Sequence, residues 1–98
     1  MAIDILNMKS TVDRFILLIE LEGIKMPWLE ERTGIEAKRW HTIKQRKVMR
    51  TSELDAVTEL WPEYAYWLVT GNEMPEAEQI SPMTRKTQRD LKTAPQVG

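Results

Sequence analysis

Large apolar residues recur at intervals of three and four from residue 12 to residue 68, in short runs punctuated by turn residues, the pattern of amphipathic helices rather than strands. Val12, Phe15, Ile16, Leu18 and Ile19 share one face of a first helix running to about Glu22. Ser10, with Asp13 three positions on, gives a capping-box-like start, and Gly23 supplies the stop. Pro27 suits the first turn of a second, short helix, with Trp28, Leu29 and the stem of Arg32 turned inward and Thr33-Gly34 ending it. A third helix follows from Ala37 to about Arg46, its positive N-terminal end favoured by Glu36. Only Trp40 and Ile43 are large and apolar within it, so its buried stripe is narrow and Ala37, Lys38, Arg39, His41, Thr42, Lys44 and Gln45 are left outside. Thr51 or Ser52 caps a fourth helix carrying Leu54, Val57, Leu60 and Trp61, which Pro62 closes. A fifth, Glu63 to Thr70, carries Tyr64, Trp67 and Leu68 and stops at Gly71-Asn72.

Outside this stretch the pattern weakens. Residues 1–10 hold Ile3, Ile5, Leu6 and Met8 without a clear period and read as an N-terminal arm or extension. Residues 73–98 fall in apolar density, with Pro75, Pro82 and Pro95 spread through polar sequence, and read as an extended or disordered, flexible C-terminal tail. The expectation is therefore an all-α fold, a small five-helix domain over residues 11–72. The chain has 98 residues, 42% of them hydrophobic, which permits a thin core and makes a partner subunit unsurprising. Without cysteine there are no disulfides or thiolate metal sites. The N-terminus lacks the pattern of a signal peptide, and the apolar run Phe15–Ile19 is far short of the roughly 20 residues that span a bilayer. A cytoplasmic protein with no membrane association is expected.

The net charge of −1 conceals a strong segregation. Residues 37–52 carry Lys38, Arg39, Lys44, Arg46, Lys47 and Arg50 with no acid; residues 53–84 carry Glu53, Asp55, Glu59, Glu63, Glu73, Glu76 and Glu78 with no Lys or Arg. Residues 1–36 also carry more acids than bases, and a positive block between acidic segments is the pattern of a local anion-binding face, since a merely solvated charge run mixes signs.

Position and charge meet in the third helix. The B-DNA major groove is roughly 12 Å wide and a helix with its side chains roughly 10–12 Å across. A helix enters the groove only if most of its surface is free of packing, and here two residues alone are buried. Trp28-Leu29, the turn Thr33-Gly34-Ile35, then Trp40 and Ile43, then Leu54 and Val57 resemble the Cro and lambda-repressor-like helix-turn-helix proteins, the XRE family. The stretch Trp61 to Gly71 resembles the last helix of many small bacterial and phage members. The resemblance covers about residues 11–72 and implies a lambda-repressor-like fold with a helix-turn-helix. By position it implies base contacts from Ala37, Lys38, His41 and Thr42 and phosphate contacts from Arg39 and Lys44, to which the charge pattern adds Arg46, Lys47 and Arg50. This chain departs from the family in having Met26 where a glutamine opens the second helix, Glu30 where a small residue is usual, and Arg46 where a glycine commonly ends the recognition helix.

These features lead to a sequence-specific double-stranded DNA-binding transcriptional regulator, a phage or bacterial repressor binding a palindromic operator as a homodimer. Tyr64, Tyr66 and Trp67 are the candidates for the dimer interface, and Tyr66 is the hardest of them to bury within one chain. The alternative is a protein-interaction module on the same fold that does not bind DNA. The four tryptophans fall at helical spacing on apolar faces, which favours core packing over base stacking. One histidine and no cysteine leave neither a metal site nor a catalytic dyad. A non-enzyme is expected, with no cofactor, metal or small-molecule ligand.

Overall fold

A computed structural model describes residues 10–93, and the side chains of residues 10–91. The expected N-terminal arm, apart from Ser10, lies outside the described residues, as does the tail from residue 94. The described chain is all helical: α1 (Thr11–Glu22), α2 (Met26–Thr33), α3 (Ala37–Arg46), α4 (Thr51–Leu60), α5 (Ala65–Thr70) and α6 (Pro82–Thr93), with 3-10 turns at Pro62–Tyr64 and Pro75–Ala77.

α1 forms as its capping signals dictate. Ser10 Oγ accepts the Asp13 backbone N–H at 3.0 Å, its hydroxyl donates to Asp13 Oδ2, and Gly23 ends the helix in the left-handed region at φ 66°. The helix buries Val12, Phe15, Leu18 and Ile19 and lies at the centre, packed against α3, α5 and α6. Phe15, Leu18, Leu29, Trp40, Ile43, Val57, Tyr64 and Leu68 have essentially no solvent contact. Each such side chain contributes about 1.5–3 kcal/mol on burial. Phe15 meets Trp40 with ring centroids 5.4 Å apart, and Trp28 meets Trp61 at 5.9 Å. Trp40, Trp61 and Trp67 are buried, while Trp28 is half-buried with the Arg32 guanidinium 5.1 Å above its ring.

Two charged residues are buried among those described, Arg14 and Glu53, and Arg14 is anchored at the end of α5. Arg14 donates from Nε to Leu68 O at 2.8 Å and from Nη2 to Val69 O at 3.1 Å. A six-residue helix leaves its last carbonyls open, and a cation there satisfies them and complements the helix dipole. Burial pulls the Arg14 guanidinium below its ordinary pKa.

Two sequence expectations need correction. α4 is not capped by Thr51 or Ser52, because Thr51 is already its first helical residue; Arg50 takes the cap position, and its N–H is met from inside the helix by Glu53 Oε1 at 2.7 Å. Nor is the segment after Asn72 extended as far as residue 93. Met74 and Gln79 pair in an isolated antiparallel bridge, the Ile80 N–H donates to Glu63 O at 2.9 Å, and Ile80 and Ser81 are buried. Ser81 Oγ then accepts the Thr84 N–H, and Pro82 opens α6, the position where a missing N–H costs nothing. Far along α6, Arg89 binds both carboxylate oxygens of Glu22 on α1 at 3.0 and 2.9 Å. Polar contacts rather than an apolar stripe dock this helix, which is why hydrophobic periodicity does not reveal it.

Candidate nucleic-acid interface

α2, a three-residue turn and α3 form a helix-turn-helix unit whose turn is fixed by local hydrogen bonds. The Thr33 hydroxyl donates to Leu29 O at 2.6 Å and accepts the Ile35 N–H at 3.1 Å, while Gly34 takes φ 76° as the C-cap of α2. Glu30, placed where the family pattern has a small residue, accepts the Ala37 N–H at 2.9 Å and so caps α3 from the preceding helix. Glu36 makes no side-chain cap bond. Met26 turns inward and is buried, filling the core from the position the family gives to a glutamine.

α3 is held to the body by few groups. Trp40 and Ile43 are both 0% exposed, and the Trp40 indole N–H donates to Ile35 O at 3.1 Å. Arg39 makes a further tie. Its Nη2 lies 3.0 Å from Glu53 Oε1, its Nε binds Oε2, and Glu53 is only 3% exposed. The guanidinium holds the Glu53 carboxyl below the ordinary range, and the Arg50 N–H acts in the same direction. Arg39 therefore fastens α3 to α4, a role that its position in the family does not imply. Glu53 escapes a reading of the basic block; the available signal is its place three residues after the cap of α4.

The other expected contacts fall into distinct settings. Lys38 and His41 are exposed; Ala37 and Thr42 are half-buried, and the Thr42 hydroxyl donates back to Lys38 O at 3.0 Å. Lys44, Arg46 and Arg50 are exposed. Lys47 ends α3 with φ 60° and pairs with Asp13 at 2.9 Å while its side chain stays 58% exposed. That pair lowers the Asp13 pKa and ties the end of α3 to the start of α1. α3 and the loop after it thus gather Lys38, His41, Lys44, Arg46, Lys47 and Arg50 in one stretch of exposed surface. Tyr64 and Trp67 are not on the surface: both lie in the core, with the Tyr64 hydroxyl donating to Glu22 Oε2 at 2.7 Å. Burial, and next that bond to a carboxylate, raise the Tyr64 pKa. Of the three interface candidates, only Tyr66 remains partly exposed, near Val69 at 53%.

No grouping of His, Asp and Glu suited to a metal ion occurs among the described residues, and none of their helices is long and apolar enough to cross a membrane. Among solved structures the chain is similar to Pf6r from the filamentous phage Pf6 of Pseudomonas aeruginosa PA01. The identity is 33%, the match covers 85% of this chain and 98% of Pf6r, and the TM-score is 0.70. The chain belongs to the same family as Pf6r. Because the match takes in nearly all of Pf6r, the likeness concerns the whole helical architecture and not one motif. No family model matches the chain, and no curated protein matches it, so the resemblance to Cro and lambda-repressor-like proteins rests on the residues and on the helix-turn-helix geometry.

Proposed function

We propose that the protein is a sequence-specific double-stranded DNA-binding regulator of phage type that inserts α3 into the major groove. The observation that carries this reading is the exposure of α3: two buried side chains and ties at its edges fix the helix, and the exposed remainder carries Lys38, His41, Lys44, Gln45 and Arg46 with no acid. Lys38 and His41 reach base edges, and the methyl of Thr42 suits the thymine C5-methyl because its hydroxyl is already donated within the helix. Lys44, Arg46 and Arg50 grip phosphates, with Lys47 shared between Asp13 and the backbone. Membership of the Pf6r family supports a protein of phage type.

Such a protein acts as a repressor by occupying an operator and excluding other proteins from it. As a homodimer it would bind two half-sites about one helical turn apart; Tyr66 is the partly exposed remainder of the expected interface, and the exposed Val69 lies three residues on. Neither catalysis nor a cofactor enters this mechanism. The test is binding of the purified protein to a randomised duplex library across a salt series, with sequencing of the retained DNA. Enrichment of an inverted repeat, with affinity falling steeply as salt rises, is the expected result. Retention without a motif would replace a sequence-specific regulator with an architectural one. No retention at low salt would overturn the proposal and leave a protein-interaction module on the same fold.

A further inference from the structure

The outward ridge of α3 does not end at the residues considered so far. Successive residues of an α-helix are rotated by about 100°, so two residues seven apart stand within about 20° of one another. Lys38 and Gln45 are such a pair, and Trp40 and Ile43 occupy the opposite side, where they are buried. Lys38, then His41 and Thr42, then Gln45 therefore form the ridge farthest from the protein body. Gln45 is exposed, and its amide makes no hydrogen bond among the described residues. Arg39 is held by Glu53 and the Thr42 hydroxyl by Lys38 O, whereas Gln45 is free to meet a ligand.

Its neighbours strengthen the case. Lys44 and Arg46, each about 100° away around the helix, lie on its two flanks, and both are exposed. A neutral amide with a cation on either side matches a groove in which bases form the floor and phosphates form both walls. Phosphates gripped on both sides at this turn would keep the C-terminal end of α3 inside the groove.

We infer that Gln45 is a base-reading residue of α3, and that the base it selects is adenine. A primary amide presents a donor and an acceptor in one plane, the complement of adenine N6–H and N7. Lys38 has donors only and suits the acceptors of guanine. Seven residues at a rise of about 1.5 Å separate the two by roughly 10 Å. At about 3.4 Å per base pair, the adenine lies roughly three base pairs from the base that Lys38 reads. This assignment rests on the duplex-binding reading above.

The test is parallel selection from a randomised duplex library with the unmodified chain, Gln45→Ala and Gln45→Glu, together with thermal unfolding and salt titration of each. The expected motif has one adenine per half-site whose preference Gln45→Ala relaxes, with the other positions unchanged. Affinity for the motif falls roughly five- to 150-fold, from a bidentate contact's usual discrimination, while the unfolding midpoint and the salt dependence stay as they were. Gln45→Glu shifts the preference at that same position toward cytosine, whose N4 donates. Recovery of the original motif at full affinity by both variants overturns this inference and leaves the function standing. Failure of the unmodified chain to retain any duplex overturns both.

Discussion

α1 and α3 are nearly equal in length and oppositely used. α1 buries four apolar side chains and Arg14, and it is packed against three other helices. α3 buries Trp40 and Ile43 and is otherwise fastened at its edges, by Glu30 at its first amide, Glu53 at Arg39 and Asp13 at Lys47. A helix that carries the fold spends its surface on neighbours. A helix that serves a partner must be fixed in place while keeping its surface, and ties at its edges achieve this where a wider apolar stripe would not. The contrast teaches that the residues that fix α3 in place are not the ones it leaves exposed.

The sharpest way to break the contrast is at Trp40, the larger of the two buried side chains that fix α3. Trp40→Ala removes the ring that packs on Phe15 and the bond to Ile35 O, at an expected cost of about 3–5 kcal/mol, read as a fall in the urea unfolding midpoint. Next in size is Gly71→Ala, which tests the anchoring of α1. Gly71 sits at φ 80°, and an added Cβ would come within 3.1 Å of Arg14 Nη1. A loss of about 1–2 kcal/mol is expected from the left-handed conformation and the crowding together.

A smaller effect is expected at Glu53. Glu53, Asp13 and Glu73 all have carboxyl pKa values lowered in the folded protein, by Arg39, Lys47 and the Thr84 hydroxyl in turn. A lowered folded value stabilises the protein above the unfolded pKa, about 4 for these groups, and that contribution is lost as pH falls through the folded values. Urea midpoints should therefore hold between pH 7 and 5 and drop below about pH 4. In Glu53→Gln the drop should be shallower, and its stability at pH 7 should be lower, about 1 kcal/mol of it from the weakened bond to the Arg50 N–H. Smallest of all, Lys38→Ala and His41→Ala should move stability by less than about 0.5 kcal/mol. Thermal unfolding checks this, and a change in DNA preference at unchanged stability would separate recognition from folding within one helix.

Much of this was legible in the sequence because α1 to α5 are held by apolar side chains at helical spacing, and the narrow stripe of Trp40 and Ile43 shows directly that α3 is exposed. What escaped was held by polar groups distant in sequence. α6 docks through Arg89 and Glu22, 67 residues apart, and begins at a proline that opens the helix although it resembles a breaker in a polar tail. The partner of Arg39 lies 14 residues away, in a segment whose acids look like solvated surface until Glu53 is found buried. Tyr64 and Trp67 looked available for an interface because periodicity alone does not show how much of a short aromatic helix its own core absorbs. Gln45 was visible as an exposed residue of α3; its setting between two flanking cations becomes meaningful once the buried side of the helix is fixed.

The central claim, that α3 is the surface that meets duplex DNA, is tested most directly by amide chemical-shift mapping of the nitrogen-15-labelled chain as duplex is added at low salt. The account predicts perturbations along Lys38, His41, Thr42 and Gln45 and through the basic stretch to Arg50, reversed by added salt. Perturbations centred on α6 or on the acidic segment from Glu59 to Glu78, with α3 unmoved, would contradict it.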